Sequence, residues 1–271
     1  MRLRQELDTY VGLRPTRSYK PILSKTPFKN DLVAGSDILV MREMCGGCFF
    51  REPKGIQLRP DGIRQGFDNN LYTSEEVERF ARAGFELARR RNNLLSSMDK
   101  SNVMESGVLW RECVARIGYE EYPDVTLEHY YADNGFYQML CRPDTFDVIL
   151  SDNLFGDLGS DIAATITGSL GMLPSACLPG IDKSGLATGP GIFEPVHGSA
   201  PDIMGQNIAN PIGTILSCAM ILEYILGRND LKTNIEQAVE QCLKAGVMTP
   251  DLGGHHYTND VTDLVLSLIH I

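Results

Sequence analysis

The chain contains 271 residues, of which 43% are apolar and 22% charged, and it carries a formal net charge of −10 with a sequence pI near 5.0. This composition suits a soluble globular protein of one or two domains with a sizeable core. The acidic balance without a Lys/Arg cluster argues against a nucleic-acid partner. No apolar run approaches the roughly 18 residues of a membrane span, so we expect no membrane partner either.

The first part of the chain predicts a helix end, a strand and an arm. Residues 3–10 have a helical pattern that the following GLRP breaks, because Pro15 disfavours helical geometry at the residue before it. DILVMRE (37–43) is a short apolar strand with charge at its end. Residues 51–70 are polar, irregular and glycine-bearing, so we expect a long loop or an extended arm.

Two helices and a strand are predicted next. Residues 73–91 form a strong helix, which Thr73 or Ser74 can cap, with acidic residues in the first turn and arginines in the last. LLSSMD leads to a second helix over 101–118, and Gly118 is its expected stop. VTLEHYYAD (125–133) alternates as a strand does.

The remaining elements continue this alternation, which predicts an α/β layer architecture. The patterns predict a helix over 134–143, an apolar strand over 146–152, a helix over 154–171, a loop over 198–211, a buried helix over 212–226 and an amphipathic helix over 234–246.

The seven cysteines are an odd number, and the N-terminal residues do not resemble a secretory signal. We therefore interpret the cysteines as reduced thiols and expect a cytoplasmic location. Cys45 and Cys48 form a C-x-x-C pair in MREMCGGCFF, a spacing that serves zinc and thiol–disulfide sites. Such a site requires a second ligand pair, and the sequence offers none with suitable spacing.

Two carboxylates share one face of a predicted helix. Asp157 and Asp161 lie four residues apart, where like charges repel and a hard divalent ion such as Mg²⁺ or Mn²⁺ would relieve the cost. The alternative is two solvated acids on an exposed helix. A neighbouring strand end favours a site, since open α/β sheets bind ligands at the carboxyl ends of strands. Asp133 also follows a strand, where the alternative is a helix N-cap.

Basic residues supply further candidates. Lys100 lies at a strand-to-helix junction, where a lysine is either solvated or, facing a metal, able to act as a base. Arg4, Arg14 and Arg42 are each embedded in largely apolar sequence. Arginine forks bind carboxylates bidentately, so convergence of the three would indicate a polyacid substrate. Nothing in the local sequence shows that they converge.

HGSAPDIMGQNIANP (197–211) is the most distinctive run. Its small residues let the backbone approach a ligand, and Asp202 could accept hydrogen bonds from a ribose. It does not contain the G-x-G-x-x-G fingerprint of ordinary dinucleotide sites. His197 by itself is more typical of a structural histidine.

Together these runs resemble the β-decarboxylating dehydrogenases, which comprise 3-isopropylmalate, isocitrate and tartrate dehydrogenases. The motifs are LRQELDTYVGLRP, MREMCGGCFF, SMDKSNVMES with LWRE, DNLFGDLGSDIAATITGSLGMLPSA and FEPVHGSAPDIMGQNIANP. They stand in the family's order, and the resemblance extends over nearly the whole chain. GSLGMLPSA and DLGG favour the isopropylmalate branch.

The resemblance implies an α/β, isopropylmalate-dehydrogenase-like two-domain fold with an incomplete N-terminal cofactor domain. Residues 10–167 would form the substrate and dimerisation domain with its arm near 51–70, and residues 1–9 with 168–271 the remainder of the cofactor-binding domain. The sequence does not contain the family's opening βαβ segment with its G-D-G-I-G run. We therefore expect a fragment, or a partner that covers the gap.

The resemblance also implies a reaction: NAD-dependent oxidative decarboxylation of a 2-hydroxy dicarboxylic acid such as 3-isopropylmalate, with isocitrate or tartrate as alternative substrates. The implied catalytic residues are Lys100, which would assist deprotonation of the 2-hydroxyl, and Asp133. Both would be contributed across the interface of a homodimer. The residues implied to bind substrate carboxylates are Arg4, Arg14 and Arg42, together with Asp133. Those implied to hold Mg²⁺ or Mn²⁺ are Asp133, Asp157 and Asp161.

A single loop would cradle the adenosine end of NAD. The implied cofactor-binding residues are His197, Gly198, Ser199, Ala200, Pro201, Asp202, Ile203 and Asn210. Asp202 would favour NAD because its charge accepts the ribose 2′-hydroxyl and repels a 2′-phosphate.

Phe49 departs from the family, which has a tyrosine there that protonates the enolate carbon after CO₂ leaves. A phenyl ring keeps the packing but has no proton to donate, so we expect impaired turnover. A catalytically impaired or regulatory family member is therefore the alternative hypothesis. The retained lysine, arginines and metal-binding aspartates favour an enzyme.

Overall fold

The computed structural model describes residues 2–269. Residues 1, 270 and 271, which the domain prediction included, lie outside the described residues. The strands are β1 (Val11–Arg17), β2 (Asp37–Glu43), β3 (Gly55–Leu58), β4 (Arg64–Phe67), β5 (Leu94–Asp99), β6 (Thr126–Tyr131), β7 (Val148–Ser151), β8 (Pro174–Leu178) and β9 (Ile192–Pro195). The helices are α1 (Arg2–Glu6), α2 (Asn30–Val33), α3 (Ser74–Arg89), α4 (Glu105–Glu121), α5 (Ala132–Cys141), α6 (Asn153–Thr167), α7 (Ile212–Tyr224), α8 (Asn229–Lys244) and α9 (Thr258–Leu268).

A seven-stranded mixed sheet organises the chain, in the order β6-β5-β7-β2-β1-β8-β9. Strands β6, β5, β7 and β2 are parallel, whereas β1, β8 and β9 continue the sheet by antiparallel pairing. Helices cover both faces, and strands β2, β5 and β7 are accordingly buried along nearly their whole length, whereas β6 is the partly exposed edge strand. The α/β fold class is confirmed.

Three apolar clusters hold the helices in place. The largest packs α3 and α4 on one face of the sheet through Phe80, Phe85 and Trp110. A second packs α5 and α6 on the opposite face, and a third lies between α7, α8 and α9. Because β6, β5, β7 and β2 are parallel, their carboxyl ends lie at one edge of the sheet, between the helices that cover its two faces.

The start of the chain differs from the prediction. The first helix ends at Glu6, not residue 10, because Asp8 takes a left-handed backbone conformation at φ 45°. The GLRP run forms part of β1, in the middle of the sheet. Pro15 is tolerated there because β8 pairs only with Val11 to Leu13, so no strand on that side requires its missing N–H.

Gly118 does not stop the helix predicted over 101–118. Helix α4 runs from Glu105 to Glu121, and Gly118 lies inside it. A Cβ at this position would stand 2.9 Å from Phe85 Cζ, so the glycine serves close packing of α4 on α3. Helix α6 ends at Thr167, not residue 171, since Gly168 caps it at φ 101°.

Other boundaries follow the sequence more closely. The run 51–70 contains the exposed two-stranded ribbon β3–β4, as an arm would. Strands β8 and β9 were not predicted, because they are short and carry proline and glycine nearby. Among the described residues, no helix is both long and apolar enough to cross a membrane.

Candidate active site

Polar residues collect where the four parallel strands end. Strand β5 leads to Lys100, β6 to Asp133, β7 to Asp152 and β2 to the Cys-Gly-Gly-Cys turn. Because parallel strands end at one edge, these segments lie side by side. The sequence predicted this edge as the site, and the structure shows which side chains meet there.

Arg42 is fixed by residues of α6. Its Nε donates a 2.9 Å hydrogen bond to Asn153 Oδ1, and its Nη1 pairs with Asp157 Oδ1. The Asn153 amide also donates to the carbonyl of Gly46 at 2.8 Å, which ties α6 to the turn after β2. Burial, followed by the charge of Arg14, lowers the pKa of Arg42 to about 10, so the guanidinium is still a cation at neutral pH.

Arg14 reaches the same helix from β1. Its Nη1 donates to Ser160 Oγ and lies 3.6 Å from Asp157 Oδ1 and 3.7 Å from Asp161 Oδ1. Only 9% of the Arg14 side chain is exposed, and burial lowers its pKa. The two arginines and two aspartates therefore form one cluster, in which the guanidinium groups are buried and the carboxylates are partly exposed to solvent.

Arg4 joins this cluster electrostatically. Its Nη2 donates to Glu194 Oε1 at 2.7 Å, and its charge lowers the pKa values of Arg14 and Arg42. The three arginines predicted as substrate ligands therefore lie near one another, which the local sequence could not show. Their cations are partly balanced by three nearby carboxylates.

Lys100 and Asp133 form a separate pair. Lys100 Nζ contacts Asp133 Oδ1, and this hydrogen bond lowers the pKa of the Asp133 carboxyl. Asp133 lies in the first turn of α5 and does not act as its N-cap; Tyr131 holds that position. Among residues 2–269, no three His, Cys, Asp or Glu side chains are grouped to hold a metal ion. Within one chain, Asp157 and Asp161 therefore lie close together, but Asp133 does not form a group of three acids with them.

The Cys-Gly-Gly-Cys turn is structural. The backbone N–H groups of Cys45 and Gly46 donate to the Glu43 carboxylate at 3.0 and 2.7 Å. A Cβ on Gly46 would stand 2.6 Å from Tyr72 Cε1, so the turn needs glycine to pack on that ring. Burial raises the pKa of Cys45 to about 12, and both cysteines are free thiols. These observations do not support a reactive cysteine pair.

Phe49 follows this turn and lies over Arg42. Its ring centroid is 5.6 Å from the guanidinium carbon, within the range of a cation–π contact. The ring therefore belongs to the arginine–aspartate cluster, and it contributes no hydroxyl.

The loop predicted to bind NAD is largely exposed. A Cβ on Gly198 would meet no other atom within 4 Å, and Ala200 takes a left-handed conformation at φ 42°. His197 contacts the carbonyl of Gly198 at 2.8 Å. Asn210 is buried: its Oδ1 accepts from Ile212 N–H at the start of α7, and its Nδ2 donates to an aspartate of the DLGG run. Its side chain therefore closes the base of the loop.

Comparison with known proteins agrees with this architecture. The profile of the isocitrate/isopropylmalate dehydrogenase family matches residues 1–265. The chain belongs to this family. A 3-isopropylmalate dehydrogenase of Cereibacter sphaeroides is 52% identical over 254 residues, which cover 94% of this chain and 68% of the relative. One of Caulobacter vibrioides is 45% identical over 269 residues, covering 99% and 75%.

A solved structure has the same fold. The isocitrate dehydrogenase of Methylococcus capsulatus superposes with a TM-score of 0.86 at 30% identity, covering 99% of this chain and 75% of that one. Family membership places the chain among dehydrogenases of the isocitrate/isopropylmalate type.

Sequence reasoning did not assign three residues that complete the cluster: Asn153, Ser160 and Glu194. Asn153 and Ser160 had a recognisable signal, because they lie on α6 four and three residues from Asp157. Glu194 lies on β9, 190 residues from Arg4, and no local pattern links the two.

Proposed function

We propose that this chain catalyses NAD-dependent oxidative decarboxylation of a 2-hydroxy dicarboxylic acid such as 3-isopropylmalate, with Mg²⁺ or Mn²⁺ as its metal. The supporting observation is the pair of nearly buried guanidinium groups, Arg14 and Arg42, beside Asp157 and Asp161. Buried arginine forks bind carboxylates strongly and with fixed geometry. Isocitrate and tartrate are also 2-hydroxy acids with at least two carboxylates, and they are the alternative substrates.

The arginines would bind and orient the substrate. Arg14 and Arg42 are held by Ser160 and Asn153, so their planes are set before substrate arrives. Pre-ordered donors lower the entropy cost of binding. Arg4 lies at the edge of the cluster and would accept a second carboxylate by exchanging its contact with Glu194.

The acids suit a hard divalent cation. The carboxylates of Asp157 and Asp161 share one face of α6 and are partly exposed, and oxygen ligands are those that Mg²⁺ and Mn²⁺ prefer. We assign Asp133 of a second copy as the third acid. Bound there, the metal supplies Lewis-acid polarisation of the substrate oxygens. Lys100 would accept the proton of the 2-hydroxyl.

The proposed homodimer is supported by an apolar groove. Residues of α5 and α6 enclose about 410 Å³, with Lys100 and Asp133 at the rim. Tyr137, Leu158 and Ile162 of this groove are 63%, 55% and 39% exposed, so they form one contiguous exposed apolar patch. A second copy covering α5 and α6 would bury them and would bring its Lys100 and Asp133 towards the arginine–aspartate cluster.

The glycine-bearing loop 197–210 is our proposed site for the adenosine end of NAD. Its exposed small residues permit close approach of a ligand to the backbone, and Asp202 carries the charge that would select NAD. We also propose two domains: residues 1–9 with 168–271 as the cofactor-binding domain, and residues 10–167 as the substrate and dimerisation domain. We further propose a cytoplasmic location.

A catalytically impaired or regulatory role is the second candidate. It is favoured by Phe49, because the ring that faces Arg42 has no hydroxyl to protonate an enolate. An impaired chain would still bind the dicarboxylate through its arginines. Binding without turnover would therefore distinguish this role from the enzyme.

The test is NADH formation and CO₂ release by the purified chain with 3-isopropylmalate, isocitrate or tartrate, with Mg²⁺ or with EDTA. Arg14→Gln should lower kcat/KM on the order of 100-fold, the effect of losing one charge-assisted contact. Arg17→Gln is the control, since Arg17 lies on the same strand but pairs with Glu236 at 3.5 Å outside the cluster. A purified chain that neither binds nor turns over any of the three acids would refute the proposal.

A further inference from the structure

Lys100 and Asp133 follow two strands whose last residues are neighbours. Asp99 ends β5 and Tyr131 ends β6, and the two are register partners in the parallel pairing. Lys100 comes one residue after Asp99, and Asp133 two residues after Tyr131. Contacts that fix Asp99 and Tyr131 therefore fix the backbone from which the Lys100–Asp133 pair extends.

Asp99 is held by a guanidinium from α4. Its side chain is only 1% exposed, and Arg111 binds it with both arms of the fork: Nε to Oδ2 at 2.8 Å and Nη2 to Oδ1 at 3.1 Å. Asp99 Oδ1 also accepts the backbone N–H of Ser101 at 2.9 Å. The carboxylate thus fixes the chain on both sides of Lys100.

Arg111 also contacts Tyr131. The guanidinium carbon lies 5.0 Å from the ring centroid, and Lys100 Nζ lies 5.9 Å from the same centroid. Two cations at one ring repel each other, which disfavours rotamers that bring the ammonium of Lys100 towards Arg111. The contact with Asp133 is favoured as a result.

Helix α4 docks directly on the backbone of Lys100. A Cβ on Gly107 would stand 2.8 Å from Lys100 C and from Ser101 N, so only glycine allows this approach. His129 also faces Asp99, with Nδ1 4.0 Å from Oδ2, but burial and then Arg111 lower its pKa. A neutral His129 leaves the Asp99 carboxylate to Arg111 and Ser101.

We infer that Arg111, acting through Asp99 and Tyr131, is the positioning residue that holds Lys100 against Asp133. This rests on the proposed function, in which Lys100 accepts the substrate proton. Arg111 touches neither substrate nor metal. Its planar fork is required, because a lysine at position 111 could satisfy one oxygen of Asp99 but could not bind both and stack on Tyr131.

The kinetic test compares Arg111→Lys and Arg111→Ala with Arg116→Ala. Arg116 is the matched control: it lies on the same helix and also forms ion pairs, with Glu78 and Glu120, but at the surface. Both Arg111 variants should lose about 10–100-fold in kcat, the effect of misplacing a reacting group, with KM for the dicarboxylate changed less than about 2-fold. Added guanidinium ion should restore part of the loss in Arg111→Ala and none in Arg111→Lys.

A second readout does not depend on turnover. In protein labelled with ¹³Cε-lysine, the Lys100 signal is identified by its loss in Lys100→Arg, and we expect the ring current of Tyr131, whose centroid is 5.9 Å from Nζ, to shift it from the other lysines. This shift should disappear in Arg111→Ala, which adds no lysine, and persist in Arg116→Ala, with melting temperatures of Arg111→Ala and parent within a few degrees. An unchanged Lys100 signal in a folded Arg111→Ala chain overturns the inference. An inactive parent overturns the proposed function alone, since the NMR comparison still decides the role of Arg111.

Discussion

The side chain of Arg42 packs directly on Gly156 of α6. A Cβ at position 156 would stand 2.8 Å from Arg42 Cβ and 2.9 Å from its Cγ, closer than real Cβ contacts allow. We predict that Gly156→Ala displaces the Arg42 guanidinium and raises KM for the dicarboxylate about 10-fold, with a smaller effect on kcat. Steady-state kinetics measure this.

Gly66→Ala is the control for this substitution, because the nearest atoms to a Cβ at position 66 are 4.0 Å away. It should leave both constants unchanged. Equal KM values for Gly156→Ala and the parent would show that α6 moves freely away from Arg42.

Phe49→Tyr adds a hydroxyl beside Arg42 without changing the packing of the ring. We expect it to raise turnover of 3-isopropylmalate by about 100-fold or more, since one general acid typically contributes about 100- to 10,000-fold. NADH formation by parent and variant measures the change, with Phe50→Tyr as the control on the adjacent residue. A parent chain already as fast as the variant would contradict the predicted role of position 49.

Asp152 makes stability depend on pH. Burial raises its pKa from 3.8 to about 6 in the folded chain, so the folded state binds this proton more tightly than the unfolded state. The resulting stabilisation is complete below about pH 4 and is lost as the pH rises through about 6. Asp152→Asn keeps the N-cap of α6 and removes the titration.

Between pH 4 and pH 7 the parent should lose on the order of 1–3 kcal/mol of unfolding free energy that Asp152→Asn does not lose. Urea titrations of both chains at these two pH values measure it. A difference that does not vary with pH would mean that Asp152 titrates normally.

Leu158→Glu tests the proposed dimer. The substitution places a charge in the apolar groove between α5 and α6, so we expect a monomer with unchanged helix content and little activity. Leu266→Glu is the control, because Leu266 is 61% exposed on α9, against 55% for Leu158. Light scattering after size-exclusion chromatography gives the mass. A dimeric Leu158→Glu chain would place the interface elsewhere.

Several elements could be predicted because their signals are local. The cap of α3, its acidic first turn and its basic last turn lie within one helix, and the structure has all three, with Thr73 as the N-cap. The acids Asp157 and Asp161 share a face of α6 for the same reason. Boundaries failed where a distant contact decided them, as at Gly118, whose missing Cβ makes room for Phe85 of another helix.

The order of motifs along the chain determined the family, the α/β class and the candidate residues, because each motif is a run of neighbouring residues. Tertiary structure alone decided that Arg14 and Arg42 share Asp157, although β1, β2 and α6 are far apart in sequence. It also decided that Arg111 binds Asp99, the residue before Lys100, and that Asp133 does not join Asp157 and Asp161 within one chain. Such contacts depend on strand order and helix packing, which no local periodicity encodes.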